Sequence, residues 1–196
     1  MITHDRVEHQ TIESPKTGER CYYNPVQKDW ATILETSEET HGERALIEVE
    51  LAPGGGTTPH YHKTYAEHFE VLQGSLAVTV NGLTRTLGPG EKAAVPKNTL
   101  HNFRNPTEEP TTFLVELRPG SSGFERALKV GYGLARDGMT SDKGVPKNLS
   151  YMALLMEWSD MRMPGAFAAF EPLLRFIAMC ARRKGIDRKL EAAYCR

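Results

Sequence analysis

The chain has 196 residues, 39% of them apolar and 25% charged, with Gly and Pro spread along its length, which fits one globular core plus an appendage and excludes fibrous and disordered classes. A formal net charge of −1 gives no field of the kind that draws a protein onto nucleic acid or an anionic membrane, so no nucleic-acid partner is expected and a small-molecule ligand fits better. The opening Met1-Ile2-Thr3-His4-Asp5-Arg6 has no apolar run of signal-peptide length, and no stretch is long and apolar enough for a transmembrane segment, so the cytoplasm is the expected location. Cys21, Cys180 and Cys195 are widely spaced and lack a Cys-x-x-Cys pair, which argues against a disulfide framework or a zinc ribbon.

From Trp30 to Arg118 apolar side chains recur at every second position between breaks of Gly, Asn or Pro, the pattern of short antiparallel strands. Ala45, Ile47, Val49 and Leu51 make one such face, with Glu48 and Glu50 on the other. Leu76-Val78-Val80 makes another and is followed by Asn81-Gly82, the dipeptide best suited to a type I′ turn, so strand 75–80 is expected to fold back onto 83–87. Phe113, Val115 and Leu117 form a further face before Pro119-Gly120 ends it. Closely spaced strands with tight turns predict a mainly β sandwich or barrel.

Beyond Pro119 the period becomes helical. Phe124, Leu128, Tyr132 and Leu134-Ala135 share one stripe, and Leu149, Met152, Leu155 and Met156 another. Pro164-Gly165 breaks the pattern, Pro172 opens a fresh helix, and Gly185 marks the next stop. The chain therefore divides into a barrel over 1–120 and a C-terminal helical extension over 121–196, expected to pack on the barrel or across a dimer partner.

In Gly54-Gly55-Gly56-Thr57-Thr58-Pro59-His60-Tyr61-His62 two imidazoles stand at i and i+2, which on extended backbone puts both on one face, where they can share an ion. Glu67 follows after a length that allows a bend to bring its carboxylate alongside. His101 lies about one hairpin and one turn downstream. Three imidazoles and a carboxylate suit one divalent transition metal such as iron, manganese, nickel, copper or zinc, and suit calcium or magnesium poorly.

These residues resemble the two cupin motifs read in order. Gly54, His60, His62, Glu67 and Gly74 fill every position of the first; Gly90, Pro96, His101 and Asn105 fill the second, with Asn98 where the family has a Gly. Asn tolerates the left-handed conformation better than most residues, so the departure is conservative. The motifs span 54–105, and the strand pattern extends the resemblance to roughly 30–118. It implies a cupin-type jelly-roll β-barrel holding one metal through His60, His62, Glu67 and His101. A homodimer is expected by analogy, since an exposed edge strand invites pairing.

Other residues have plainer readings. If Glu67 points into the barrel, His68 and Glu70 point out. Glu67 is also a candidate general base, with ligation its primary role. Tyr61, Tyr65, Phe69 and Phe103 are candidates for pocket or rim lining, each individually better accounted for by simple packing. Phe167, Phe170, Leu173, Leu174 and Ile177, flanked by Arg175 and Arg182-Arg183-Lys184, read as a stripe that covers apolar surface rather than as a membrane-binding element.

The function expected is that of a metal-dependent enzyme of dioxygenase type acting on a small organic molecule. A metal-dependent isomerase or decarboxylase, a non-catalytic metal- or metabolite-sensing barrel, and a storage protein are the alternatives. The fold does not choose among them.

Overall fold

The computed structural model describes residues 20–195, with the backbone alone described at residues 166–168; Met1–Arg6 and the Phe167 side chain therefore lie outside the described residues. Among the described residues nine strands come first: β1 (Cys21–Asn24), β2 (Asp29–Glu35), β3 (Ala45–Leu51), β4 (Ala66–Gln73), β5 (Leu76–Val80), β6 (Leu83–Leu87), β7 (Lys92–Val95), β8 (His101–Arg104) and β9 (Thr111–Arg118). Four α-helices follow: α1 (Ser122–Arg136), α2 (Leu149–Trp158), α3 (Glu171–Arg183) and α4 (Ile186–Tyr194). All strand pairings within the sheets are antiparallel. One sheet has the order β1-β2-β3-β9-β4-β7 and the other β6-β5-β8. The mainly β architecture with C-terminal helices matches the sequence pattern.

Alternation sets the core. Along β3 the side chains of Ala45, Ile47, Val49 and Leu51 are buried, while Leu46, Glu48 and Glu50 lie on the other face. Register carries that layer across the sheet, because Ile47 faces Val115, Val49 faces Phe113, and Phe69 of β4 faces Val115 from the other side. From the smaller sheet Leu76, Val78 and Phe103 close over the same cluster. The β5–β6 turn is built on Asn81 at φ 50° and Gly82 at φ 83°, the two positive angles a type I′ turn requires. Asn98 also adopts the left-handed region, at φ 62°.

α1 joins the two halves of the molecule. The Ser121 hydroxyl accepts from the N–H of Phe124 and caps the helix. One face of α1 (Phe124, Leu128, Tyr132) packs on the barrel core. The opposite face (Val130, Leu134) enters a second cluster with Ala153, Leu154, Ala178, Ala181 and Leu190.

Two expected helical faces are revised. In α2 the stripe Leu149-Met152-Leu155-Met156 is not the most buried one: Leu149 is exposed, while Ala153 and Leu154 are enclosed. The helix touches α1, α3 and α4, and this many-sided contact weakens any single apolar stripe. In α3, opened by Pro172 as expected, Leu174 and Ile177 pack inward beside Ala178 and Ala181, but Phe170 and Leu173 are exposed. Small residues at the contact let the helices approach closely, and Phe170 and Leu173 are left outside it. Among the described residues no helix is long and apolar enough to cross a membrane.

Candidate metal centre

The barrel brings His60, His62, Glu67 and His101 together although they lie on three separate segments. His60 and His62 sit on the connection between β3 and β4, Glu67 on β4 of the larger sheet, and His101 at the start of β8 in the smaller one. His60 and His101 are fastened by a reciprocal backbone pair, with each N–H donating to the other's carbonyl at 2.9 and 2.8 Å. The Asn98 N–H donates to the His62 carbonyl at 2.6 Å. One potential ligand atom from each of the four residues falls within 4.8 Å of the other three, and all four residues are buried.

The hydrogen bonds decide which ring nitrogens point inward with a lone pair. Nδ1 of His60 lies 2.7 Å from the Thr58 carbonyl oxygen and Nδ1 of His101 lies 2.9 Å from that of Thr99. A carbonyl only accepts, so each Nδ1 carries the proton. Nδ1 of His62 lies 2.8 Å from Oη of Tyr65, whose one proton is donated to the Ser159 carbonyl at 2.7 Å. The phenol oxygen must then accept from His62 Nδ1–H. All three imidazoles therefore turn Nε2 toward the centre, the arrangement in which outer hydrogen bonds orient metal-binding histidines.

Charge follows from the same geometry. Burial pushes the His60 imidazolium down to about 4 and lowers that of His62, so both rings are neutral near pH 7. Burial alone would raise the Glu67 carboxyl, but the His101 hydrogen bond and the three nearby rings hold it down to about 2. His101 is shifted up, because Glu67, 2.8 Å from its Nε2, outweighs the opposing effect of burial. The 2.8 Å contact between Nε2 of His101 and Oε2 of Glu67 is a hydrogen bond, and a cation bound between them would take the place of its proton. His62 Nε2, 3.7 Å from the other Glu67 oxygen, is buried without a hydrogen-bond partner. A buried acceptor with no donor is costly. Three convergent imine nitrogens and a carboxylate fit a divalent transition ion, which would satisfy all four at once.

The remaining candidates separate. His68 is exposed and Glu70 pairs with Lys92 at 2.8 Å, outside the barrel as alternation required. Phe69 and Phe103 are core residues in contact with Phe113. Tyr61, partly buried, pairs its backbone with Arg162. Tyr65 is fully enclosed and orients His62 instead of lining a rim. Its role, and those of Ser159 and Asp160, carry no signal in sequence spacing, since the hydrogen bonds to residues 63–65 span 94 to 97 positions.

Residues 47–116, from β3 to β9, match the cupin domain family. Among curated proteins the chain is 36% identical over 81 residues to mannose-1-phosphate guanylyltransferase ManC of Salmonella typhimurium, covering 41% of this chain and 17% of that protein. It is 31% identical over 72 residues to quercetin 2,3-dioxygenase of Bacillus subtilis, covering 37% and 21%. It is also 32% identical over 74 residues to the tetracenomycin polyketide synthase protein TcmJ of Streptomyces glaucescens, covering 38% and 50%. The chain thus spans half or less of the length of these relatives. Among solved structures, an RmlC-like cupin from Shewanella frigidimarina superposes with a TM-score of 0.47 at 18% identity, over 56% of this chain and 93% of that one.

Proposed function

We propose that His60, His62, Glu67 and His101 hold one divalent transition metal and that the protein is a metal-dependent enzyme of dioxygenase type acting on a small enol, phenol or thiol. The observation that carries the reading is the set of three inward Nε2 atoms, each fixed by an Nδ1 hydrogen bond, around one buried carboxylate. Partial similarity to a quercetin 2,3-dioxygenase supports the reaction class. A divalent ion bound there would supply a Lewis-acidic centre for a substrate oxygen, redox-capable where the ion is iron, manganese, nickel or copper.

The chain's own residues bind and orient. The three imidazoles and Glu67 set the direction of approach, and their burial keeps bulk water from the reacting atoms. Glu67 is a carboxylate near pH 7 and can accept a substrate proton at a carboxylate oxygen. Its low proton affinity favours ligation as the primary role.

The test is metal analysis after reconstitution with iron, manganese, nickel, copper or zinc, followed by oxygen uptake with diketones, catechols, flavonols and thiols. One ion per chain and turnover abolished by His101→Ala are expected. Absence of stoichiometric metal overturns the site. Metal without oxygen uptake on any of the panel overturns the dioxygenase reading in favour of isomerisation or decarboxylation.

A further inference from the structure

We propose that the segment following α2 positions the metal-binding loop: Asp160 and the Ser159 carbonyl hold residues 61–65 so that the His62 imidazole keeps its ligating orientation. The inference rests on the reading of the four-residue cluster as a metal site. It assigns to the helical extension a part in that site, although the matched cupin region ends at residue 116.

The contact is a set of hydrogen bonds onto the stretch between two of the proposed ligands, His62 and Glu67. Oδ2 of Asp160 accepts from the N–H of Lys63 at 2.7 Å, the N–H of Thr64 at 2.8 Å and the Thr64 hydroxyl at 2.9 Å. Its other oxygen accepts from Nε and Nη2 of Arg162 at 3.3 and 3.0 Å. The Arg162 backbone is bridged to Tyr61, with N–H to carbonyl distances of 3.0 and 2.9 Å. Its guanidinium also reaches Glu171 of α3 at 3.2 Å. The loop is thus fastened on both sides of His62, at Tyr61 and at Lys63-Thr64, by one part-buried polar network.

The end of a helix explains the third fastening. Ser159 is the C-cap of α2, and terminal carbonyls have no donor within the helix. Tyr65 supplies that donor, and in giving its only proton to Ser159 it is left to accept from His62 Nδ1–H. The phenol also stacks on the imidazole, with centroids 4.4 Å apart at 26°, and its ring meets Phe124 of α1 edge-on at 5.8 Å. Rotation of the His62 ring about χ2 would break the Tyr65 bond. Removal of Asp160 would leave two backbone donors of the loop without their acceptor. Loss of such outer partners typically lowers metal affinity 10–100-fold without removing a ligand.

Asp160 sits at φ 51°, a left-handed conformation that Gly adopts freely, so Asp160→Gly removes the carboxylate without adding backbone strain. Asp160→Asn keeps one acceptor oxygen for the loop. Tyr65→Phe removes only the hydroxyl. Full-length protein carrying each change is titrated with Co(II), reading affinity and the visible ligand-field spectrum, and metal-free thermal unfolding is measured in parallel. We expect Asp160→Gly and Tyr65→Phe to bind Co(II) about 10–100-fold more weakly with an altered spectrum. Asp160→Asn should recover most of the affinity. Folded Asp160→Gly and Tyr65→Phe proteins that bind Co(II) with wild-type affinity and spectrum overturn the proposal while leaving the metal site intact. If Asp160→Gly fails to fold, Tyr65→Phe decides by the same criterion. A folded wild-type protein that binds no Co(II) overturns the metal reading and this inference with it.

Discussion

Tyr132 of α1 donates a hydrogen bond of 2.7 Å to Oδ2 of Asp29, the first residue of β2, and the second oxygen of that buried carboxyl has no partner among the described residues. Burial pushes the Asp29 carboxyl up to about 7 against an ordinary value of 3.8. Between about pH 4 and 7 the unfolded chain loses this proton while the folded chain keeps it. The folded state then binds more protons, so this residue's contribution to stability is full at low pH and is lost as pH rises through the folded value. Asp29→Asn fixes the neutral form. Thermal melts from pH 4 to 8 should show wild type losing several degrees relative to Asp29→Asn as pH rises; parallel curves for the two proteins would falsify the assignment.

Glu67→Gln keeps the side chain's shape and removes the charge at the centre of the cluster. Zinc affinity measured by calorimetric titration should fall by more than the roughly 10–100-fold typical of lost outer partners, because a ligand itself is altered. The metal-free variant should keep the wild-type circular dichroism spectrum. Undiminished zinc affinity would remove Glu67 from the ligand set.

Phe113 is fully enclosed where the two sheets meet, edge-on to Phe103 at 5.1 Å and 69° and 6.3 Å from Phe69. Phe113→Ala should cost about 3–5 kcal/mol and lower Tm by roughly 6–20 °C, at 2–4 °C per kcal/mol for a chain of this size. Calorimetry of the metal-free protein tests this. A loss below about 1 kcal/mol would mean that the cluster collapses around the gap.

Gly133 lets α4 dock on α1. A Cβ at this position would clash with the ring of Tyr194, whose hydroxyl donates to Oδ2 of Asp137 at 2.9 Å. Ala is normally favoured over Gly inside a helix by about 1 kcal/mol. Here the clash should outweigh that gain, so Gly133→Ala should lower Tm by several degrees. Adding Tyr194→Ala removes the obstacle, and the double variant should melt above the additive expectation of a double-mutant cycle. Strict additivity would show that the two side chains do not compete for the same space.

The barrel was legible in sequence because its signals are local. Alternation at Ala45-Ile47-Val49-Leu51 reports a half-buried strand, Asn81-Gly82 reports a turn, and the spacing of Gly54, His60, His62, Glu67 and Gly74 is set by the local path of the backbone. The helical third was legible as helix but not in its faces. Leu149, Phe170 and Leu173 are apolar and exposed, whereas Ala153, Ala178 and Ala181 are enclosed, because close helix contacts select small residues that periodicity does not rank.

The sequence by itself determined the candidate ligands: spacing put His60 and His62 on one face, and the resemblance to the two cupin motifs added Glu67 and His101. Tertiary structure alone decided how they are held. It gave Tyr65 to the outer face of His62 and brought Ser159 and Asp160 onto a loop nearly a hundred residues earlier. It also buried His62 Nε2 without a partner. Lone-pair direction, desolvation and the fastening of the 61–65 loop depend on contacts between distant segments, and such contacts leave no period in the chain.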